Sequence, residues 1–155
     1  MTNNETVTEV ENTQSFDLSN RPLISDQGYY DRLVEIVIYS GLHSRVNNRF
    51  SNAIAEYFSD FREVATYSEE KALELFRDDA MLHNLSKIKA CIFNAKTFVS
   101  LCEIYGSMEM YFSGFDTLSP ANKYARMTGD LSGLFKYLGD KNVVKYIEAI
   151  HCKIS

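Results

Sequence analysis

The sequence predicts an all-α fold with a single folded domain, and three observations lead to that prediction. Proline and glycine are scarce, at two and seven in 155 residues, so few positions interrupt a helix. Apolar residues recur three and four positions apart after residue 21, and no segment alternates as a strand does. The apolar fraction of 45% and the charged fraction of 24% are near globular averages, which excludes a disordered or fibrous chain.

Residues 1–20 differ from the rest of the chain. They carry four acidic residues and no basic one, and they have no helical periodicity. This composition is typical of a mobile acidic tail. Residues 21–155 are predicted to form the helical domain, because their number matches one domain.

The first two helices are predicted from caps and spacing. Ser25 or Asp26 carries the oxygen that caps a helix N-terminus, and Gly41 marks the end of that helix. The apolar positions of the first helix are Tyr30, Leu33 and Val37. Those of the second are Val46, Phe50, Ala53 and Tyr57, and the unit closes with Phe58 and Phe61.

A short acidic helix is predicted at residues 69–78. Thr66 and Glu69 stand in capping-box spacing before it. Two interpretations of its acidic run remain open: a solvated face, or a surface that mimics DNA or binds a protein partner. The run comprises Glu69, Glu70, Glu74, Asp78 and Asp79.

The second half of the chain contains the clearest helix. His83 or Asn84 is predicted to cap it, Gly106 ends it, and Ser107 caps the segment that follows. Its apolar positions are Ile88, Ile92, Ala95, Val99 and Cys102. Ser119-Pro120 is a typical helix start. The last two helices are predicted at about 129–138 and 142–151, with a turn at 138–142 between them.

Charge and cysteine content restrict the class of protein. The net charge of −5 argues against a polybasic nucleic-acid binder, yet residues 80–155 carry nine basic and six acidic residues and leave a DNA-facing surface possible. Three cysteines without a CxxC pair favour reduced thiols over disulfides, and no metal site or other cofactor is predicted. No apolar run approaches the roughly 20 residues that span a bilayer, and the polar start lacks the features of a signal peptide. We therefore expect a cytoplasmic protein without a membrane partner.

The order of motifs over residues 22–150 resembles the DNA-3-methyladenine glycosylase I family of the helix-hairpin-helix superfamily. The motifs are PLISDQGYYDRLVEIVIYSGL, then FSDFREVATYSEEKALELFRDDAMLHNLSKIKACIFNAKTFVSL, YGSMEMYFSGF and LFKYLGDKNVVKYIEAI. In the second motif, the matching residues are Asn84, Lys87, Ile88, Ala90, Asn94 and Ala95. The resemblance implies an α-helical fold that grips duplex DNA and hydrolyses the glycosidic bond of an extruded, alkylated base in DNA repair by base excision.

The resemblance also indicates where a base pocket would lie, around the Gly-Leu turn. The family has a glutamine before this turn and a tryptophan after it, and Tyr39 and Ser44 stand at those positions here. The candidate pocket residues are Tyr30, Tyr39, Gly41, His43 and Ser44. Tyrosine stacks on bases and histidine can donate a hydrogen bond. The alternative is that the two tyrosines belong to the core and that His43 is a surface turn residue.

Two further site predictions concern catalysis and DNA contact. The family carboxylate would fall at Ile36, so its neighbour Glu35 is only a weak candidate acid or base, and only if buried; otherwise it is exposed or paired with Arg32. The turn at 138–142 stands where the resemblance places the hairpin of the superfamily. This hairpin is expected to present backbone N–H groups and lysines to phosphates, the alternative being an ordinary turn with solvated lysines. The candidate DNA-binding residues are Lys136, Gly139, Lys141, Asn142 and Lys145.

The sequence therefore supports two functions. One is a DNA-binding, glycosylase-like protein that resembles enzymes excising 3-methyladenine, with activity reduced or lost. The alternative is a non-catalytic scaffold of the same fold that binds or inhibits a protein partner.

Overall fold

The computed structural model describes residues 24–42 and 48–151, and within them every regular element is a helix. The all-α prediction is confirmed, whereas the predicted tail at 1–20 lies outside the described residues. The α-helices are α1 Asp26–Tyr39, α2 Ser51–Tyr57, α3 Phe61–Val64, α4 Glu69–Arg77, α5 Leu85–Tyr105, α6 Met108–Ser113, α7 Pro120–Leu134 and α8 Asp140–His151. A 3₁₀ turn at Gly114–Thr117 joins α6 to α7.

Several predicted helix ends are confirmed by their hydrogen bonds. The hydroxyl oxygen of Ser25 accepts from the N–H of Gly28, and the side chain of Asn84 accepts from the N–H of Lys87. Ser107 caps α6 in the same way. Gly106 ends α5 with a φ of 96°, a left-handed conformation that glycine adopts without steric cost. These caps satisfy backbone groups that a helix end would otherwise leave without partners.

The capping box predicted for the acidic helix is wrong. Ser68, not Thr66, is the N-cap of α4, and its hydroxyl oxygen accepts from the N–H of Lys71. The Thr66 hydroxyl instead donates back to the carbonyl of Glu63, at the end of α3. With Ser68 as its N-cap, α4 begins at Glu69.

The predicted boundaries of the last two helices are also wrong. The helix start predicted at Ser119-Pro120 is confirmed, but no separate helix begins near 129, because α7 runs from Pro120 to Leu134. Helix α8 begins at Asp140 rather than 142. The connecting turn is therefore 135–139. Phe135 and Leu138 are buried, so this segment is held in the core by apolar anchors instead of continuing α7. Phe135 and Leu138 are three positions apart, which is also the spacing of apolar residues on a helix, so the sequence pattern extended the helix to 138.

Helix α5 lies at the centre of the molecule and packs against α1, α3, α4 and α6. Aromatic rings from four elements meet on it, with centroids 5.4 to 5.9 Å apart, from Tyr30, Phe61, Phe98 and Phe135. Each such pair adds about 0.5–1.5 kcal/mol beyond its buried area. The cluster ties the turn before α8 to the first helix through α5.

Helices α1 and α8 pack together at the other side of the core. The buried Tyr146 hydroxyl donates to the carbonyl of Tyr29 at 2.9 Å. The carboxylate of Asp26 accepts from the N–H of Met108, which fixes the start of α6 against the start of α1. None of the helices in the described part of the chain is long and apolar enough to cross a membrane.

Candidate functional site

The turn between α7 and α8 is held by a buried asparagine. Asn94 is 1% exposed, and its amide nitrogen donates to the carbonyl oxygen of Lys136 at 3.1 Å. Its amide oxygen accepts from the N–H of the same Lys136 at 2.8 Å. Both backbone groups of one turn residue are thus paired with one side chain from α5. The amide fixes the position and the orientation of the turn.

Tyr137 adopts a conformation that is unusual for its residue type. Its φ is 65°, in the left-handed region that costs a residue with a Cβ about 1–2 kcal/mol. Its hydroxyl hydrogen-bonds the hydroxyl of Ser86 at 2.9 Å. The side-chain amide of Asn142 donates to its carbonyl at 2.9 Å. These two bonds hold the strained residue from both sides and direct its ring along α5.

A buried lysine secures the end of α1. Lys87 is 6% exposed, and its Nζ donates to the carbonyl of Ser40 at 2.6 Å and to that of Ile38 at 3.1 Å. The last carbonyls of a helix have no partner within the helix, and a cation favours that end of the helix dipole. Burial lowers the pKa of Lys87 below its ordinary value, because the interior disfavours the charged form.

Helix α5 therefore joins the hairpin turn to the end of α1. Ser86 and Lys87 are adjacent, one bonded to Tyr137 and the other to the backbone of α1. Asn94 lies seven residues, or about two helical turns, after Lys87, on the same side of α5. We call Ser86, Lys87 and Asn94 the α5 platform. It holds both candidate binding elements on one rigid helix.

The predicted pocket residues in the described part of the chain are divided between the start of α1, where Tyr30 lies, and its end, where Tyr39 and Gly41 lie. Tyr30 is fully buried, and its hydroxyl donates to the carbonyl of Cys91 at 2.8 Å, as in a core tyrosine. Tyr39 is half-buried, and its hydroxyl accepts from the N–H of Phe50 at 3.1 Å. Gly41 is exposed with a φ of 73°. His43 and Ser44 lie outside the described residues. Of the predicted set, Tyr39 and Gly41 are thus together at this end.

The candidate acid Glu35 is exposed on α1. Burial was the condition for a catalytic role of this carboxylate, and that condition is not met. Arg32, the predicted alternative partner, donates to the carbonyl of Gly28 at 2.9 Å. Ile36, where the resemblance would place the family carboxylate, is half-buried against the core. The described face of α1 therefore presents no buried carboxylate to a base.

The predicted DNA-binding residues cluster where α8 begins. The side chains of Lys136, Lys141 and Lys145 are exposed, as is Gly139. The first N–H groups of α8 have no carbonyl one turn earlier, and such groups bind phosphate. The side chain of Asn142 serves the turn instead, through its bond to Tyr137. Asp140 adds one negative charge at the same end.

Sequence reasoning gave no role to the α5 platform, although its residues stood in the motifs. The signal in the sequence was the presence of two polar residues, Lys87 and Asn94, among the apolar residues on one side of α5. Lys87 and Asn94 are on the side of α5 that also carries buried Cys91 and Phe98. A polar side chain on a buried helix face must find partners. The sequence could not identify those partners, because they are backbone atoms 42 to 49 residues away.

The described residues contain no group of three or more His, Cys, Asp or Glu side chains that could hold a metal ion. Cys91 and Cys102 are buried free thiols. Burial raises the pKa of both thiols above the ordinary value, which disfavours the reactive thiolate. Neither thiol is therefore a nucleophile at neutral pH.

The chain matches the family model described as methyladenine glycosylase over residues 20–132. Solved structures of 3-methyladenine DNA glycosylase I are similar to it in fold. A variant in complex with 3-methyladenine has a TM-score of 0.71 and 19% identity, covering 84% of this chain and 79% of that one. The Staphylococcus aureus protein, solved for the basis of 3-methyladenine recognition, has a TM-score of 0.70 and 19% identity, covering 84% and 78%. A further structure gives 0.68 and 16%, covering 83% and 80%.

Proposed function

We propose a function from one premise: the chain belongs to the methyladenine glycosylase family. The proposed function is binding of duplex DNA by a glycosylase-like helix-hairpin-helix protein whose excision of alkylated bases is reduced or lost. The observation that carries the proposal is the α5 platform. It joins a lysine-bearing turn at one end to the Gly41 turn at the other.

The hairpin end supports DNA binding by its charge and backbone geometry. The turn offers the free N–H groups at the start of α8, and Lys136, Lys141 and Lys145 are exposed nearby. Backbone N–H groups and lysines are typical phosphate contacts, which position a protein on a duplex without reading its sequence. The bond pair from Asn94 holds the turn before DNA arrives, so little ordering is left to occur on binding.

The residues at the α1 end support a reduced rate of glycosidic-bond hydrolysis. Hydrolysis adds water across the glycosidic bond: the base leaves with the bonding electrons, the water oxygen attaches to C1′, and a proton is released. An N3-alkylated adenine is positively charged and leaves as a neutral base, so a pocket for it depends mainly on stacking and on stabilising positive charge. Here Tyr39 is tied to Phe50, and Ile36 stands at the position of the family carboxylate.

Release of free methylated purines tests the catalytic part of the proposal. The protein is incubated in excess with alkylated duplex DNA, beside an active 3-methyladenine DNA glycosylase as control. We expect release at least about 100-fold slower than in the control, since loss of one group that stabilises the transition-state charge costs about 10²–10³-fold. Release at the control rate would show that activity is retained and would refute the reduction.

Salt dependence of duplex binding tests the DNA-binding part. Fluorescence anisotropy with a labelled duplex is measured at increasing salt. Three lysine–phosphate contacts predict that log K falls with log salt at a slope of about −3, because each contact releases counterions. The absence of binding even at low salt would refute this part.

A second candidate function is binding of a protein partner through the acidic face of α4. Glu69, Glu70 and Glu74 are exposed on that helix, and Asp79 follows it. If duplex binding fails, a partner is sought by pull-down with the protein and with a Glu70→Gln, Glu74→Gln double variant. Capture that depends on the two carboxylates supports this candidate, and capture that is equal with both proteins refutes it.

A further inference from the structure

Two aromatic side chains near the hairpin are exposed to solvent. Phe93 on α5 is 42% exposed, and Tyr137 in the turn is 37% exposed. A single exposed apolar side chain is common and needs no explanation, whereas two exposed rings on one surface beside lysines indicate a binding site. The conformation of Tyr137 adds to this, because strained residues cluster at functional sites.

The contacts bring these rings to the same side of α5. The Nζ of Lys136 lies 4.7 Å from the centroid of the Phe93 ring, a cation–π contact. The hydroxyl of the next residue, Tyr137, is bonded to Ser86, which is two turns before Phe93 on the same side of the helix. The Tyr137 ring thus extends over the stretch of α5 between Ser86 and Phe93.

The charges on this surface are mostly positive. Lys89 and Lys96 are exposed one turn before and one turn after Phe93, and Lys136 lies above its ring. One carboxylate approaches, that of Glu69, which is 3.1 Å from Lys89. Helix α5 itself has no acidic residue before Glu103, although the whole chain has a net charge of −5. We call this surface the α5–hairpin face; it comprises Ser86, Lys89, Phe93, Lys96, Lys136 and Tyr137.

We propose that the α5–hairpin face binds unpaired nucleotides of DNA, next to the duplex held by the hairpin. Exposed aromatic rings stack on bases of any sequence, and lysines contact the phosphates between them. A paired base hides its faces in the helical stack, so the rings select unpaired nucleotides. The flexible stem of Lys136 lets its amine move from the Phe93 ring to a phosphate when a base stacks there.

An acidic peptide is the alternative ligand for the α5–hairpin face, and the two exposed aromatic rings argue against it. Such a peptide would use the lysines but would gain nothing specific from two exposed aromatic rings on the same side of α5. The inference rests on the proposed DNA binding by the hairpin, because it names the form of DNA that suits the protein: a duplex with a neighbouring gap, end or single-stranded extension.

Anisotropy with three labelled ligands tests the inference on the full chain: a blunt duplex, the same duplex with a single-stranded extension of about eight nucleotides, and the free single strand. We expect the extension to improve affinity about tenfold, since stacking on one aromatic contributes a factor of that order. Phe93→Ala should remove most of this gain, and Phe93→Tyr should retain it. Tyr124→Ala is the matched control, because Tyr124 is similarly exposed (45%) but on α7.

The outcomes separate this inference from the proposed function. Equal gains in the wild type and Phe93→Ala overturn the inference, and duplex binding then still stands. Loss of the gain in both Phe93→Ala and Tyr124→Ala overturns it as well. Binding of the extended ligand and the single strand without blunt-duplex binding, lost in Phe93→Ala, supports nucleotide binding by this face and refutes duplex binding by the hairpin. Polyglutamate is added as a competitor for the labelled DNA with the single-stranded extension. If it displaces this DNA equally from the wild type and from Phe93→Ala, the face is assigned to acidic peptides and the inference is overturned.

Discussion

Asn94 and Lys87 each secure a neighbouring turn from helix α5, one with a neutral amide and the other with an ammonium group. The hairpin end secured by Asn94 leaves lysines and backbone N–H groups facing solvent. At the α1 end secured by Lys87, the hydroxyl of Tyr39 accepts from the N–H of Phe50. The comparison shows that, within the described residues, one helix holds two turns, of which the α7–α8 turn carries the exposed lysines.

Removal of the amide at the hairpin end has the largest expected effect. Asn94→Ala leaves the N–H and the carbonyl of Lys136 without partners, and each buried unpaired group costs about 1–3 kcal/mol. We expect a loss of about 3 kcal/mol in the free energy of unfolding, measured by urea denaturation, together with weaker duplex binding. Ser100→Ala, an exposed position on the same helix, is the control. An effect no larger than that of the control would contradict the role of the amide.

Removal of the ammonium at the α1 end comes next. Lys87→Met keeps the length of the side chain but leaves the carbonyls of Ile38 and Ser40 without their donor. We expect a loss of about 2 kcal/mol, which the apolar fit of methionine partly offsets. Duplex binding should change little, because the hairpin is held separately. Loss of duplex binding equal to that of Asn94→Ala would show that the two ends are not independent.

The pH dependence of stability distinguishes the two ends by their charge. The pKa of Lys87 is lower in the folded protein than in the unfolded chain, where it is about 10.4. Between these two values the unfolded chain binds more protons, so the contribution of Lys87 to stability rises with pH. The difference in unfolding free energy between wild type and Lys87→Met should therefore grow above neutral pH. The difference for Asn94→Ala should stay level, and a parallel slope there would contradict this account.

Neutralising lysines at the hairpin should weaken DNA binding moderately. The Lys141→Gln, Lys145→Gln double variant should lower duplex affinity about tenfold and reduce the salt slope by about 2, since each phosphate contact contributes about one unit. Anisotropy at several salt concentrations measures both quantities. The matched variant is Lys123→Gln, a lysine on α7 that pairs with Asp116. An unchanged slope would remove these two lysines from the interface.

Substitution of the exposed carboxylate on α1 has the smallest expected effect. Glu35→Gln should change the unfolding free energy by less than about 0.5 kcal/mol, as expected for an exposed site. It should also leave any release of methylated purines unchanged. A clear fall in release would return Glu35 to the catalytic residues and weaken the contrast between the two ends.

Local signals in the sequence predicted most of the fold. Ser25, Asn84 and Gly106 carry their structural roles in their own side-chain chemistry, and those helix ends are confirmed. The boundaries of α7 and α8 were wrong because Phe135 and Leu138 are core anchors on a turn, and an apolar residue does not reveal which structure carries it. The motif order identified the family, since it depends on spacing along nearly the whole chain.

The candidate site was less predictable because its contacts are distant in sequence. The bonds of Lys87 and Asn94 reach backbone atoms, which carry no residue identity that a pattern could register. Tyr30 fitted a pocket by type, but its burial depends on helices from three parts of the chain. Exposure is likewise a property of the packed molecule, so Phe93 could not be distinguished from the buried residues beside it.

Both turns are bonded to side chains of α5, so this helix fixes the distance between them. Lys87 and Asn94 are seven residues apart, which corresponds to about 10 Å along the axis at 1.5 Å per residue. The same interval is close to two full turns, so both side chains leave the helix in nearly the same direction. Insertion or deletion of one residue between them would turn one anchor by about 100° relative to the other. The number of residues in this interval therefore sets the distance between the α7–α8 turn and the turn at the end of α1.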